Sequence, residues 1–297
     1  MRYLDPDIAR KKWLLDENLG KSSGQDEFPL FSVLEFNLCG SCTRKCVFCP
    51  HSSPSYPRTK AFISVELFEK VMKDLQKVDF HETIIFSAFC EPLLHQQVEL
   101  LVEIARKHCP GARIEIVTNG DLVTADKVAS LFAAGLTTLC VSLYDGPHQI
   151  DHFRAMQKQL GIKDEQLVLR PRWLSAREHY GITLTNRAGA IEIKDAGITV
   201  PTEPLKKTCY YPFFQALIDH DGSILLCTHN WNKNIILGNV GKSSILEIWN
   251  NEMFKQIRTD LASSNRDFIP CNLCNTDGTL MGRTHFIKWG KYYGTEY

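Results

Sequence analysis

The sequence predicts an α/β fold: an open or partial barrel of parallel strands wrapped by helices, with a small cysteine-rich extension behind it. From Leu30 to about residue 190, short apolar runs alternate with stretches of helical period, the trace left by parallel strands joined through helical crossovers. At residues 195 to 208 the alternation gives way to DAGITVPTEPLKKT, a connection bearing prolines and threonines. Cysteines gather on both sides of that break. A length of 297 residues has room for a medium domain and a small companion. The expected division is 1–29 as N-terminal helix and linker, 30–195 as barrel and 196–297 as extension.

Each element has a local reason. Asp5-Pro6 is a helix cap followed by proline at the first helical position, and Ile8, Leu15 and Leu19 share one side of the helix it opens. Gly20-Lys21-Ser22-Ser23-Gly24 is a joint. FSVLEFNL, 31 to 38, is the first strand. Behind Ser64 as cap, Leu67, Phe68, Val71, Met72 and Leu75 recur at helical spacing. TIIFSAF (83–89), ARIEIVT (112–118), TTLCVSL (137–143) and QLVLRPR (166–172) are further strands, with helices over 95–108, 124–134 and 149–159. GITL, 181 to 184, supplies a sixth strand, and five or six units are too few to close an eight-stranded barrel. In the extension, FQALIDHDGSILLC is a hairpin turned at Asp221-Gly222, and SSILEIWNNEMFKQIRTDL is one amphipathic helix.

Thirty-four basic residues balance thirty-four acidic ones, and no like-charged run marks a nucleic-acid or anionic-membrane surface. A neutral or mixed-polarity ligand is expected. The opening MRYLDPDIARKKWLL lacks the apolar core of a secretory signal, and no run of about 18 apolar residues occurs, so a cytoplasmic protein without a membrane partner is expected.

Eleven cysteines suit either a disulfide framework or metal ligation. An odd count and tight clusters favour ligation. CTRKCVFCP, 42 to 50, sets Cys42, Cys46 and Cys49 on a loop at the C-terminal end of the first strand, where barrel folds place their chemistry. Three- and two-residue gaps let thiolates wrap one face of an iron–sulfur cube, whereas zinc modules pair two hooks. Cys39 or His51 as a fourth ligand leaves an electron-transfer or zinc site as the alternative.

These residues resemble the radical S-adenosylmethionine (SAM) superfamily, whose CxxxCxxC loop follows the first strand of a partial (β/α)6 barrel. The resemblance covers roughly residues 30 to 190. It implies a [4Fe-4S] cluster on Cys42, Cys46 and Cys49, with the fourth iron chelated by SAM. It implies reductive cleavage of SAM to a 5′-deoxyadenosyl radical that abstracts a substrate hydrogen, and an external electron donor such as flavodoxin or ferredoxin. Phe48 matches the position packing near the SAM adenine, and FSAFCEPLLH resembles the Gly-Gly-Glu-Pro region, with Glu91 on the SAM ammonium. Cys90 departs from the pattern, standing where the family has glycine. Thr118-Asn119-Gly120 resembles the turn lining the SAM pocket, Ser142 reaches the ribose, and Arg170 or Arg172, with Arg170 preferred, reaches the carboxylate or ribose.

Cys209, Cys227, Cys271 and Cys274 form a second set that suits an all-cysteine zinc site. ILGNVGKSSILEIWNNEMFKQIR between them resembles the linker and helix of SPASM and twitch extensions. That resemblance implies one auxiliary [4Fe-4S] cluster with every iron ligated, acting in electron transfer or as a staple.

Hydrogen abstraction then leads to oxidation, if the cluster accepts an electron, or to epimerisation, if a thiol returns hydrogen. Cys90, Cys140 and Cys39 are the candidate thiols. Twenty-nine residues ahead of the first strand leave no space for a peptide-recognition domain, so a small polar metabolite such as a sugar, aminoglycoside or nucleotide-sugar is expected. His220, His229, Asn230, Trp231, Asn232 and Arg187 are suited to such a ligand. A peptide maturase with a separate recognition partner is the alternative, and a non-enzymatic iron–sulfur or zinc protein a second.

Overall fold

Residues 6–18 and 28–295 are described by the computed structural model of the chain. Helix α1 spans Pro6–Asn18; its expected cap Asp5, and Leu19 with the glycine joint, lie outside the described residues. The barrel strands are β1 (Val33–Phe36), β2 (Thr83–Phe86), β3 (Arg113–Thr118), β4 (Thr138–Leu143) and β5 (Leu167–Pro171). Between them run α2 (Val65–Gln76), α3 (Val98–His108), α4 (Ala125–Ala133) and α5 (His148–Leu160). Ser64 caps α2 and Thr124 caps α4, their hydroxyls accepting from the amides of Leu67 and Lys127.

Beyond residue 195 come α6 (Tyr211–Phe214), β6 (Gln215–Ile218), β7 (Ser223–Leu225), β8 (Ile236–Asn239), α7 (Ile245–Trp249), α8 (Glu252–Ala262) and α9 (Arg283–Tyr293). One sheet joins both regions in the order β5-β4-β3-β2-β1-β6-β7-β8. The first six strands are parallel, and β6 lies against β1 with Val33 opposite Gln215 and Phe36 opposite Ile218. The hairpin β6–β7 turns where expected, with Gly222 at a positive φ of 84°.

Two expectations are corrected. Residues 181–184 form no strand: Gly181 has a φ of 73° and its carbonyl accepts from Arg172, so the chain turns there, and the sixth parallel strand is β6. The segment 243–261 is two helices, because the Asn251 side chain caps α8 through the Phe254 amide and donates to the Leu237 carbonyl at 2.8 Å.

Strand alternation divides the sheet. Leu34, Phe36, Ile84, Phe86, Ile114, Ile116, Leu139 and Val141 join the inner faces of α2, α3 and α4 in the main core. The opposite face carries Glu35, Glu115, Cys140, Ser142, Arg170 and Gln215, so it is built to enclose polar groups. α1 closes one end of that interior, where Arg10 grips both oxygens of buried Glu115 at 2.7 and 2.9 Å. Burial works to raise the Glu115 carboxyl, but the Arg10 guanidinium overrides it and holds the group below its ordinary range. Among the described residues no helix is long and apolar enough to cross a membrane.

The C-terminal helices are bound through one fully buried cation. The Arg258 guanidinium lies 3.6 Å from the Trp289 ring centre, 4.2 Å from Trp249 and 4.6 Å from Phe254, and donates to the Pro212 carbonyl at 2.9 Å. Arg258→Ala is expected to cost roughly 3–5 kcal/mol by leaving a cavity and an unmatched aromatic box. Anaerobic urea unfolding followed by tryptophan fluorescence measures this, and a loss below ~1 kcal/mol would contradict it.

Candidate active site and cysteine centres

A cavity of about 700 Å³ opens at the C-terminal ends of the parallel strands. Cys42, Cys46 and Cys49 line it from the loop after β1. The Cys49 amide donates to the Cys46 carbonyl at 2.9 Å, and Pro50 starts a short 3-10 turn, which folds the three thiols onto one wall. The loop is tied to two neighbouring strand ends. Asn119 Nδ2 lies 3.5 Å from Cys42 Sγ and 2.7 Å from Thr43 Oγ1. Arg44 makes a fork to Asp121 beyond β3 at 2.6 and 2.8 Å and another to Asp145 beyond β4 at 2.7 and 2.9 Å, over the Tyr144 ring.

Burial pushes all three thiols up, Cys46 to about 11. Buried thiols that resist ionisation become ligands once a metal's charge replaces the proton, so this donor set fits a cluster. Among the described residues no three histidine, cysteine or carboxylate side chains converge closely enough to hold a single ion.

Phe48 stands in an aromatic niche with Tyr180 at 5.1 Å and Tyr144 stacked at 6.3 Å. Glu91 is buried with its carboxylate shared: Oε1 accepts from the Leu93 amide and Thr118 Oγ1, and Oε2 from the Asn119 amide at 2.8 Å. Burial raises its carboxyl, and these bonds only partly offset that. Thr118, Asn119, Ser142, Arg170 and Arg172 all line the cavity. The Arg172 guanidinium donates to the carbonyls of Pro171 and Gly181, whereas Arg170 lies where the cavity continues beneath into a space of about 190 Å³.

Of the three candidate thiols, Cys90 faces the cavity. Cys39 is fully buried beside Ser41 and Glu91, its thiol held down by contact with Cys90. Cys140 points inward as its parity with Ser142 predicts but one layer deeper, 3.6 Å from the Arg10 guanidinium.

The second cysteine set comes together from three segments. Burial first, and then the neighbouring Cys227, Cys209 and Cys274 thiols, push the Cys271 thiol up, so the four lie within electrostatic reach of one another. Buried Arg266 ties their segments by donating to the carbonyls of Lys207, Thr208, Thr276 and Asp277 at 2.7 to 3.0 Å. Gly278 has a φ of 80°, and a Cβ there would come within 2.8 Å of Cys209 Sγ, so the cradle closes only around glycine. Asn186 fastens this region to the cavity wall, donating to the Leu273 carbonyl at 2.6 Å and exchanging bonds with Asn275.

Among the described residues, polar groups that line this cavity include six buried atoms without a partner: Nδ1 of His51, Nε of Arg187, Nε2 of His229, Nε1 of Trp231 and the hydroxyls of Thr183 and Thr276. Burial depresses His229 to about 3, which keeps it neutral. Arg187 and Ala188 both hold φ at 51°, a strained conformation that packing must enforce. His220 instead pairs with Asp219, away from this wall. Sequence reasoning missed Arg44, Asn186, Arg266 and the two threonines; only Arg44 carried a signal, lying inside the motif with acids just beyond two strand ends.

Arg44→Ala is expected to weaken cluster retention at the first site by about tenfold or more, as loss of groups that orient ligands does, while iron at the second site stays. Arg44→Lys, which cannot fork to two carboxylates, is expected to recover only part. Iron per chain after limiting anaerobic reconstitution and the KM for SAM read this out; wild-type values for both would show the clamp to be idle.

Residues 36–161 match the model of the radical SAM superfamily, and residues 209–276 match that of SPASM, an iron–sulfur cluster-binding domain. S-adenosyl-L-methionine-dependent 2-deoxy-scyllo-inosamine dehydrogenase of Niallia circulans is 28% identical over 248 residues, 83% of this chain and 93% of that protein. The crystal structure of BtrN in complex with AdoMet and 2-DOIA is similar with a TM-score of 0.70 at 28% identity, covering 84% of this chain and 94% of that one. BtrN as the selenomethionine protein in an open conformation gives 0.61 at 25% identity, with 83% and 93% covered.

Proposed function

From a chain that carries a radical SAM domain and a SPASM iron–sulfur cluster-binding domain, we propose a SAM-dependent dehydrogenase that oxidises a hydroxyl-bearing carbon of a small sugar-like or cyclitol ring. One observation carries this reading: in a chain 28% identical to such a dehydrogenase, unpartnered polar groups line the cavity that the three-cysteine set also lines. When bound, the cofactors supply a 5′-deoxyadenosyl radical that removes hydrogen from carbon and an auxiliary [4Fe-4S] cluster that takes the remaining electron.

The protein's part is to hold and orient. Cys42, Cys46 and Cys49 would hold the first cluster, with SAM as its remaining ligand, and Cys209, Cys227, Cys271 and Cys274 would hold the second. Phe48 with Tyr144 and Tyr180 forms the adenine niche. Glu91 Oε2 accepts one bond from Asn119, so its second lone pair is free for the SAM ammonium. Thr118 and Asn119 fix Glu91 and the cluster loop, and Ser142 and Arg170 face the ribose and carboxylate. Oxidation also releases the substrate hydroxyl proton, for which the unpartnered Nδ1 of His51 is the proposed acceptor, while neutral His229 serves as a hydrogen-bond partner only. Cytoplasmic flavodoxin or ferredoxin is the proposed reductant.

The test is anaerobic turnover with dithionite, SAM and a cyclitol deuterated at the reacting carbon. Deuterium in 5′-deoxyadenosine together with a ketone product is expected. A product that keeps its hydroxyl and takes up solvent deuterium would make the enzyme an epimerase.

A further inference from the structure

Building on the dehydrogenase reading, we propose that the ring oxidised by this chain is an uncharged polyol, without the amino group of the inosamine for which its relative is named. An ammonium taken out of water needs an ionised carboxylate or a full set of acceptors. Among the described residues three carboxylates line the cavity, and each already accepts from protein donors on both of its oxygens. Glu35 accepts from Ser87 and from Gln215 at 2.6 Å, and Asp277 from Lys207 at 2.5 Å and from Thr279. Glu91 is held by Leu93, Thr118 and Asn119, and its last lone pair faces SAM under the reading above.

The groups that await a ligand point the same way. Arg187 Nε and Trp231 Nε1 can only donate. His51 Nδ1 can only accept, because its Nε2 must donate to the Phe89 carbonyl 2.6 Å away. The hydroxyls of Thr183 and Thr276 and the free nitrogen of His229 can do either. Such a wall complements hydroxyl groups, each of which both gives and takes. An ammonium group has nothing to offer the Arg187 and Trp231 donors, and Arg187 repels it.

Titration calorimetry on the anaerobic holoenzyme with SAM and no reductant compares 2-deoxy-scyllo-inosamine with the cyclitol carrying hydroxyl in place of its amine. The polyol is expected to bind about tenfold tighter or more, the worth of one well-placed hydrogen bond. His229→Glu places a carboxylate on the wall and is expected to shift the ratio towards the amine by a similar factor. Thr183→Asp does so from another segment if the first variant does not fold. Equal or tighter binding of the amine by the wild type, or an unmoved ratio in the folded carboxylate variants, overturns the proposal. Binding of neither ring overturns the ring class proposed above and this inference with it. Because no turnover occurs, failure to oxidise a bound ring counts against the dehydrogenase reading alone.

Discussion

Replacing Cys42 with alanine is expected to abolish 5′-deoxyadenosine formation. Two thiols, Cys46 and Cys49, cannot hold a cube that presents one open iron, and without that iron SAM loses its chelation. Iron should fall from about eight to about four per chain, because two [4Fe-4S] centres hold four each and the second set is untouched. The variant should keep its fold, since Cys42 is half-buried on a loop anchored independently by the Arg44 forks and by Asn119 on Thr43. Circular dichroism and iron counting separate loss of the site from loss of the protein. Cleavage of SAM at the wild-type rate by the iron-depleted variant would end the radical mechanism for this chain.

Cys271→Ala is expected to divide the reaction instead of stopping it. SAM cleavage draws on the first centre and should persist, whereas ketone per 5′-deoxyadenosine should fall at least about tenfold because the substrate radical has lost its electron acceptor. The loss should also loosen the wrap around Cys209 and Cys227, although the Arg266 bonds to four carbonyls keep those segments together. The ratio of the two products is the decisive measurement. A normal ratio in a variant lacking the second cluster would reduce that centre to a structural role.

Local signals carried most of the barrel. The five expected strands contain β1 to β5, and Ser64 caps α2 as its side-chain chemistry predicts. The sixth strand was not local. GITL has strand-like composition, but its backbone turns at Gly181, while QALI pairs with β1 across a separation such as the 180 residues between Glu35 and Gln215. Arg258 was hidden for a related reason: a charged residue on an amphipathic helix reads as solvent-facing, and only packing brings three aromatic rings around it. Glu91 was legible as a cavity carboxylate; the donors sharing it come from Leu93, Thr118 and Asn119, and that convergence belongs to the fold.

The placement of β6 beside β1 also sets a timetable for biogenesis. β1 leads directly into the thiol-bearing loop, yet one of its two neighbours is not synthesised until residue 218 has been added. Until then the nascent chain has an unpaired strand edge next to three oxidisable thiols, a state open to aggregation and oxidation. The cysteines of the second centre are translated on both sides of the completing strand. A chain truncated ahead of β6 would therefore keep the first three thiols but lack the strand that covers their sheet edge, together with three of the four cysteines of the second set.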